Sequence, residues 1–352
     1  MNETKKKLTL TQKRLIVLIS LAVGLFFLFI ASIFIGSSNM SFVDGIKAIF
    51  HQGEPMYINI IYNIRFPRII AALLAGIALA LSGTIMQTIT NNVMASPSTL
   101  GTTNAAVLGA NIAIIILGGG VISVHGGNVD ISNPYFISGI AFLFALLSTL
   151  LILFLSKFNK FSNTTIVLIG VTMGTLFTGI TTLIQYFASD TSLSSAVYWS
   201  FGDLGRASYE DDLILFVVVI VSLVFFLLFS FKYNALLLGE ESAESLGINL
   251  KLFKFISLLL ASLLTAVTVS LFGIIGFIGL LSPQIMRRLI GNDHRYLIVG
   301  SGLFGAFILL FSDILSRVLM NGISLPVGAI TAILGAPAFV AVIILGRRKK
   351  ND

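Results

Sequence analysis

Long apolar runs alternate with short polar breaks along almost the whole chain. The runs lie near 15–36, 69–90, 101–122, 135–156, 164–188, 213–231, 252–272, 274–290, 297–320 and 323–345, each about as long as a membrane-crossing helix. A hydrocarbon layer ~30 Å thick takes roughly 20 apolar residues of helix. The two-residue alternation of a membrane barrel is missing from the pattern, which leaves helices as the spanning element. The chain is therefore expected to be all-α, a polytopic membrane protein with about ten transmembrane helices in a compact bundle. Reading 252–290 as one helix would give nine, but Gly273, Gly276 and Gly279 interrupt that run.

Charge orients the bundle. With ten crossings, 17 of the 22 Lys and Arg fall on one side: Lys5, Lys6, Lys7, Lys13, Arg14, Lys157, Lys160, Lys232, Lys251, Lys254, Arg287, Arg288, Arg295, Arg347, Arg348, Lys349 and Lys350. The other five are Lys47, Arg65, Arg68, Arg206 and Arg317. Such an imbalance marks the cytoplasmic side and predicts both termini there. The first run, Leu15 to Gly36, is too long for a removable signal core and lacks a small-x-small cleavage site, so it reads as a retained helix. Residues 1–14 then form a basic N-terminus, 15–346 a single ten-helix transmembrane domain with a cytoplasmic loop at 232–254, and 347–352 a basic tail.

Composition agrees: 56% of residues are apolar, 11% are charged and mean hydropathy is +1.00, where a soluble domain carries roughly 25% charge. The net charge of +7 accordingly reports membrane orientation and not nucleic-acid binding. Zero cysteines exclude disulfides, thiol nucleophiles and thiolate metal sites. His51, His125 and His294 stand at no ligand spacing. No Gly-Lys pair occurs, so there is no phosphate-cradling loop, and any ATP is bound by another subunit. No catalytic constellation, metal site or cofactor of the chain's own is expected.

Small residues recur every four positions: Ala72, Gly76 and Ala80; Gly101, Ala105, Gly109 and Ala113; Gly170 and Gly174; Gly328, Ala332 and Ala336. Such stripes let helices approach closely where lipid supplies no hydrophobic drive. Asp313 is the acid clearly inside a run, with Arg317 one turn later as its expected partner. Gln87, Asn111, Gln185 and the threonines around Thr172 and Thr178 are uncharged; they are candidates for a transport path or for bonds between helices. So few buried acids argue against an ion-coupled carrier, the rival of a different class.

Three further features stand out. The segment 236–249 clusters Glu240, Glu241 and Glu244 on an amphipathic stretch sized for one or two surface helices. Arg65, Arg68 and Arg317 lie near run ends on the side poor in positive charge, placed either to anchor at lipid headgroups or to bind carboxylates of an outside partner. The stretch 190–212 combines Asp190, Asp203, Glu210, Asp211 and Asp212 with Tyr198, Trp199 and Phe201, as a short re-entrant or interfacial helix would.

These residues resemble a known family. Arg65-Phe-Pro-Arg68 leads into Ala-Gly-x-Ala-Leu-Ala-Leu-Ser-Gly at 75–83 and Gln87. Tyr198-Trp-Ser-Phe-Gly202, Leu238-Gly-Glu-x5-Leu-Gly247, Gly276-Phe-Ile-Gly-Leu-x-x-Pro283, Gly291-Asn-Asp-His-Arg295, Leu325-Pro-Val-Gly-x-x-Thr331 and Gly335-Ala-Pro-Ala-Phe339 follow in order. The chain is similar over nearly all of 15–346 to the FecCD-like permease subunits of ATP-driven, type II ABC importers for ferric siderophores, haem and vitamin B12. The resemblance implies a permease in the cell membrane, paired with a second permease, identical or sister. It implies cytoplasmic ABC ATPases that use ATP and Mg, and an extracytoplasmic substrate-binding protein. It also implies an ATPase-coupling role for Glu240, Ala243, Glu244 and Gly247, a docking role for Arg65, Arg68 and Arg317, and a path around 164–204. The expected cargo is a ferric siderophore, with haem or vitamin B12 as alternatives. Two departures, Asn91-Asn-Val-Met-Ala-Ser-Pro97 and Pro283-Gln284, bear on the inner gate and the subgroup.

Overall fold

The apolar runs fold as helices that carry internal glycine and proline, as Pro55–Ile89 does at Pro67, Gly76 and Gly83, and that break where the backbone turns to positive φ. The computed structural model describes residues 9–36, 40–119, 122–125, 128–131, 133–158, 162–320 and 324–351. Lys5, Lys6, Lys7 and Lys160 lie outside these, and Arg347, Arg348, Lys349 and Lys350 outside the described side chains. In chain order the helices are α1 (Leu10–Phe34), α2 (Phe42–Ile49), α3 (Pro55–Asn59), α4 (Phe66–Ile89), α5 (Thr102–Asn111), α6 (Pro134–Lys157), α7 (Asn163–Tyr186), α8 (Asp190–Ser200), α9 (Tyr209–Leu228), α10 (Ser230–Leu236), α11 (Glu240–Ser245), α12 (Leu250–Phe272), α13 (Ile278–Ile290), α14 (His294–Val318) and α15 (Val327–Asn351). A small antiparallel hairpin, β1 (Ile122–His125) on β2 (Asn128–Ile131), is the one departure from all-α among the described residues.

The expected ten transmembrane helices are corrected by this architecture. Among the described residues, seven helices are long and apolar enough to cross a membrane: α1, the continuous Pro55–Ile89, α6, α7, α9, α12 and α14. The other three runs hold shorter pieces: Thr102–Ile116, the 13-residue α13, and Val327–Val342 within α15. At 1.5 Å rise per residue the first two reach about 20–23 Å, short of the ~30 Å hydrocarbon core. Backbone conformation accounts for much of the shortening. Gly273 at φ +78° stops α12, and Phe277, left-handed at φ +67°, delays the start of α13. The parity argument that put both termini in the cytoplasm falls with the count.

Local chemistry sets the ends. Thr9 and Gln12 form a capping box on α1, as do Ser208 and Asp211 on α9. Pro67 lies within a 35-residue helical stretch, not at its beginning. The π turn Ile60–Arg65 directly ahead of it widens the helix where Pro67 has no N–H to donate.

The centre is α4 against α12, α13 and α14, and glycine makes it tight. A Cβ on Gly83 would collide with the Gly279 backbone, and one on Gly76 with the Gly305 backbone. The α4 stripe read from the sequence, Ala72, Gly76 and Ala80, thus faces α14, Gly83 beyond it meets α13, and Gly170 and Gly174 seat α7 on Leu100 and Gly101. By contrast α1, α7 and α9 are mostly peripheral.

Between α12 and α13 the chain is non-helical, which membrane interiors tolerate only where protein satisfies the backbone. The segment after α8 does so. Ile274 N donates to Ser200 O at 3.2 Å, Asp203 N to Phe272 O at 2.9 Å, and Gly328 N to Gly202 O at 3.1 Å.

Candidate functional site

The candidate residues gather at the two ends of the bundle and along α7. At one end Arg68 from α4 and Arg317 from α14 converge on Asp313, with Arg65 of the π turn ahead of α4 close to Arg317. Arg68 Nε donates to Asp313 Oδ1 at 2.7 Å, and its Nη2 to Ser316 Oγ at 3.1 Å and Ser324 Oγ at 2.9 Å. Arg317 Nη2 stands 3.0 Å from Asp313 Oδ2 as the expected one-turn ion pair, and it donates to Ser32 Oγ at 2.6 Å. Arg65 donates to the Ile33 carbonyl. The three arginines are only 4, 7 and 6% exposed, so their donors serve this chain rather than its surface. The Arg68–Asp313 bond, between residues from opposite parts of the sequence, could not be read from spacing.

The same end holds two groups that sequence reasoning named without assigning them a role, Arg206 and Asp212. Arg206 Nη2 donates to the carbonyls of Tyr198 at 2.9 Å, Trp199 at 3.2 Å and Phe201 at 3.0 Å, closing the C-terminus of α8. Burial lowers the pKa of this guanidinium. Asp212, in the first turn of α9, is buried, and neither carboxylate oxygen has a hydrogen-bond partner among the described residues.

The polar path candidates fall into pairs. Gln185 Nε2 donates to Asn111 Oδ1 at 3.0 Å, joining α7 to α5. Thr178 accepts from Asn104 Nδ2 at 2.9 Å and donates to Gly174 O at 2.9 Å, whereas exposed Thr172 donates to Leu168 O at 2.9 Å in its own helix. Gln87 lies elsewhere, on the inner side of α4, where it accepts from Gln284 Nε2 at 2.9 Å. Gln284, part of the Pro283-Gln284 departure noted in the sequence, thereby ties α13 to α4 and, at 3.3 Å, to Val93 O. Of α7's residues only Ile166, Gly170, Gly174 and Thr181 are buried, leaving a long face open.

The opposite end carries the acidic segment 236–249 as one short helix, α11, directly after α10. Gly239 at φ +110° and Gly247 at φ +78° bracket α11 in conformations that favour glycine. Ala243 is buried beneath α11, Glu244 is exposed, and Glu240 Oε1 receives Lys254 Nζ at 2.8 Å.

Beside it the Gly291–Arg295 motif builds a junction of α1, α4, α10, α13 and α14. Asn234 Nδ2 donates to Asp293 Oδ1 at 3.0 Å, and Asn234 Oδ1 accepts from the His294 backbone N at 2.9 Å. That orientation makes His294 Nδ1 the donor to Asn234 Oδ1 at 2.8 Å, so Nε2 is free to accept from Thr88 Oγ1 at 2.8 Å. Arg287 Nη2 donates to the same Thr88 oxygen at 3.0 Å, and Arg14 reaches Asp293 at 3.3 Å. Hydrogen bonds from Arg295 hold the Asp293 carboxyl well below the usual carboxylate range. Sequence singled out the motif but not its partners, which lie 60 and 206 positions from His294.

Comparison with known proteins agrees with this arrangement. The FecCD transport family model matches residues 24–345. The chain is 44% identical over 335 residues to MJ0087 of Methanocaldococcus jannaschii, named as an ABC transporter permease protein, covering 95% of each chain. It is 33% identical to the hemin transport system permease protein HmuU of Yersinia pestis, covering 82% of this chain and 84% of that one. It is also 33% identical to the vitamin B12 import system permease protein BtuC of Vibrio vulnificus, with 81% and 82% covered. Among solved structures, an inward-facing metal-chelate type ABC transporter superposes with a TM-score of 0.80 at 29% identity, covering 93% of this chain and 98% of that one. A chain matched by the family model over nearly its whole length, with relatives this similar, belongs to the FecCD transport family, the transmembrane permease subunits of type II ABC importers.

Proposed function

We propose that this chain is the membrane passage for a ferric siderophore, handed over by an extracytoplasmic binding protein and driven inward by partner ATPases that hold ATP and Mg. The observation that carries the reading is α11: a six-residue helix between two left-handed-region glycines, presenting exposed Glu241 and Glu244 at one end of the bundle. A loop built for passive connection needs neither feature. Ala243 and Glu240 fasten it to the core, and Glu244 with Gly247 completes the surface offered to the ATPase.

The cargo assignment rests on α7. Between Asn163 and Tyr186 it has no acid or base, and its open face shows hydroxyls such as Thr172 and Thr178 among apolar side chains. A bare cation requires a cage of oxygen ligands, and no cluster of three His, Cys, Asp or Glu exists among the described residues. Such a wall suits a metal already wrapped in its chelator, with a second permease, identical or sister, closing the other side. Asn111 and Gln185 line the same junction. Haem or vitamin B12 is the second reading, favoured by the hemin and vitamin B12 permeases among the relatives.

Docking of the binding protein is assigned to the end holding Arg65, Arg68 and Arg317. Their guanidiniums shape that surface from beneath, because their own bonds are internal. An ion-coupled carrier is set aside: Asp313, the obvious coupling acid, is clamped by two arginines.

Uptake of labelled ferric siderophores, haem and cobalamin by iron-starved cells with and without the gene tests the assignment. Loss of a siderophore signal alone supports it. Loss of cobalamin or haem alone keeps the machine and replaces the cargo.

A further inference from the structure

We infer that Lys254 is a positioning residue that carries the movement of α11 to α7, a role that rests on the ATPase-coupling reading of α11. Lys254 projects from the first turn of α12 and is 2% exposed, an unusual setting for an ammonium. Its Nζ donates to Glu240 Oε1 at 2.8 Å, on the first residue of α11. The same Nζ donates to Asn163 Oδ1 at 3.0 Å, on the first residue of α7. One buried cation therefore holds the leading ends of both helices, which do not pack extensively on each other.

The surroundings make this a link rather than simple glue. The glycines at 239 and 247 flank α11 in conformations that let it tilt as a unit, with Ala243 buried against the bundle. Helix α7 is held to the bundle farther along, through Gly170 and Gly174 against Leu100 and Gly101 and through the Asn104–Thr178 and Asn111–Gln185 bonds, so a pull on Asn163 acts on its leading turns. A tilt of α11 that moves Glu240 draws the ammonium with it, because separating a buried cation from its carboxylate is costly. The ammonium in turn draws Asn163 and the start of α7. The inner end of the proposed path then answers directly to the ATPase, without a rearrangement of the tightly packed α4–α14 centre.

The test is hydrogen–deuterium exchange on the complete complex with its ATPases, nucleotide-free and trapped with ATP and vanadate. In the wild type, trapping is expected to change exchange in both 236–249 and the first half of α7. In Lys254→Met the change in 236–249 persists and the change in α7 is lost; Lys254→Arg, which keeps both bonds within reach, restores it. Glu240→Gln, a milder variant, should diminish the α7 response if the methionine variant fails to assemble. An undiminished α7 response in Lys254→Met or in Glu240→Gln overturns the inference. A wild-type complex in which neither segment responds overturns the coupling reading of α11, and the relay with it.

Discussion

Arg68 and Asp313, 245 positions apart in the chain, meet at 2.7 Å inside the bundle, with Arg317 closing on the other carboxylate oxygen at 3.0 Å. One acid thus pairs with two buried guanidiniums and joins α4 to α14 at the end opposite α11. The charge is not disposable, because removing one partner leaves the others desolvated.

Asp313→Asn should therefore destabilise the folded chain by about 3–5 kcal/mol, read as a large fall in melting temperature in detergent. Arg68→Lys should cost less but still measurably, since a lysine keeps the charge and loses the paired bonds to Ser316 and Ser324. Arginine variants that weaken binding-protein docking at unchanged melting temperature would show direct contact with the partner instead.

Gly83 and Gly279 make a second prediction. Gly83→Ala places a methyl against the Gly279 backbone and should cost about 1–3 kcal/mol. Gly139→Ala, on α6 with open space around it, should melt like the wild type. Equal melting of the two variants would mean the α4–α13 contact is looser than described.

Much of this was legible in the sequence, and the limits were physical. Hydropathy located the long helices but not the short α2 and α3, and the four-residue stripes found the close packing of α4 because a stripe is a property of one helix. Hydropathy could not tell a full crossing from the 13-residue α13, since Phe277 and Gly273 end helices by backbone conformation without lowering apolar character. The one-turn Asp313–Arg317 pair was readable for the same local reason. Arg68 with Asp313, Gln87 with Gln284, and Lys254 with Asn163 are long-range bonds that only the assembled fold creates.

Asp212 yields a prediction of the opposite sign. Its buried carboxylate lacks a hydrogen-bond donor among the described residues, a condition that costs roughly 1–3 kcal/mol. Asp212→Asn should match or exceed the wild type in thermal melting. A clear loss of stability would show that the carboxylate has a partner after all.

Asp293 predicts a pH dependence. Its carboxyl titrates below the ordinary carboxylate value of roughly 3.9. The group's contribution is therefore complete above that value and declines as pH falls toward its folded value. Wild type and Asp293→Asn should differ most in melting temperature above about pH 4 and converge in stronger acid. A gap that widens on acidification would contradict the assignment of Arg14 and Arg295 as its partners.

The central claim, that ATP hydrolysis by a partner drives import through the α11 surface, is tested most directly by ATP-driven uptake of a labelled ferric siderophore into vesicles containing the reconstituted complex. Glu244→Arg is compared there with the wild type at matched permease content. The account predicts that the wild type accumulates label only with ATP and that the variant does not. Undiminished ATP-driven uptake by Glu244→Arg would contradict it.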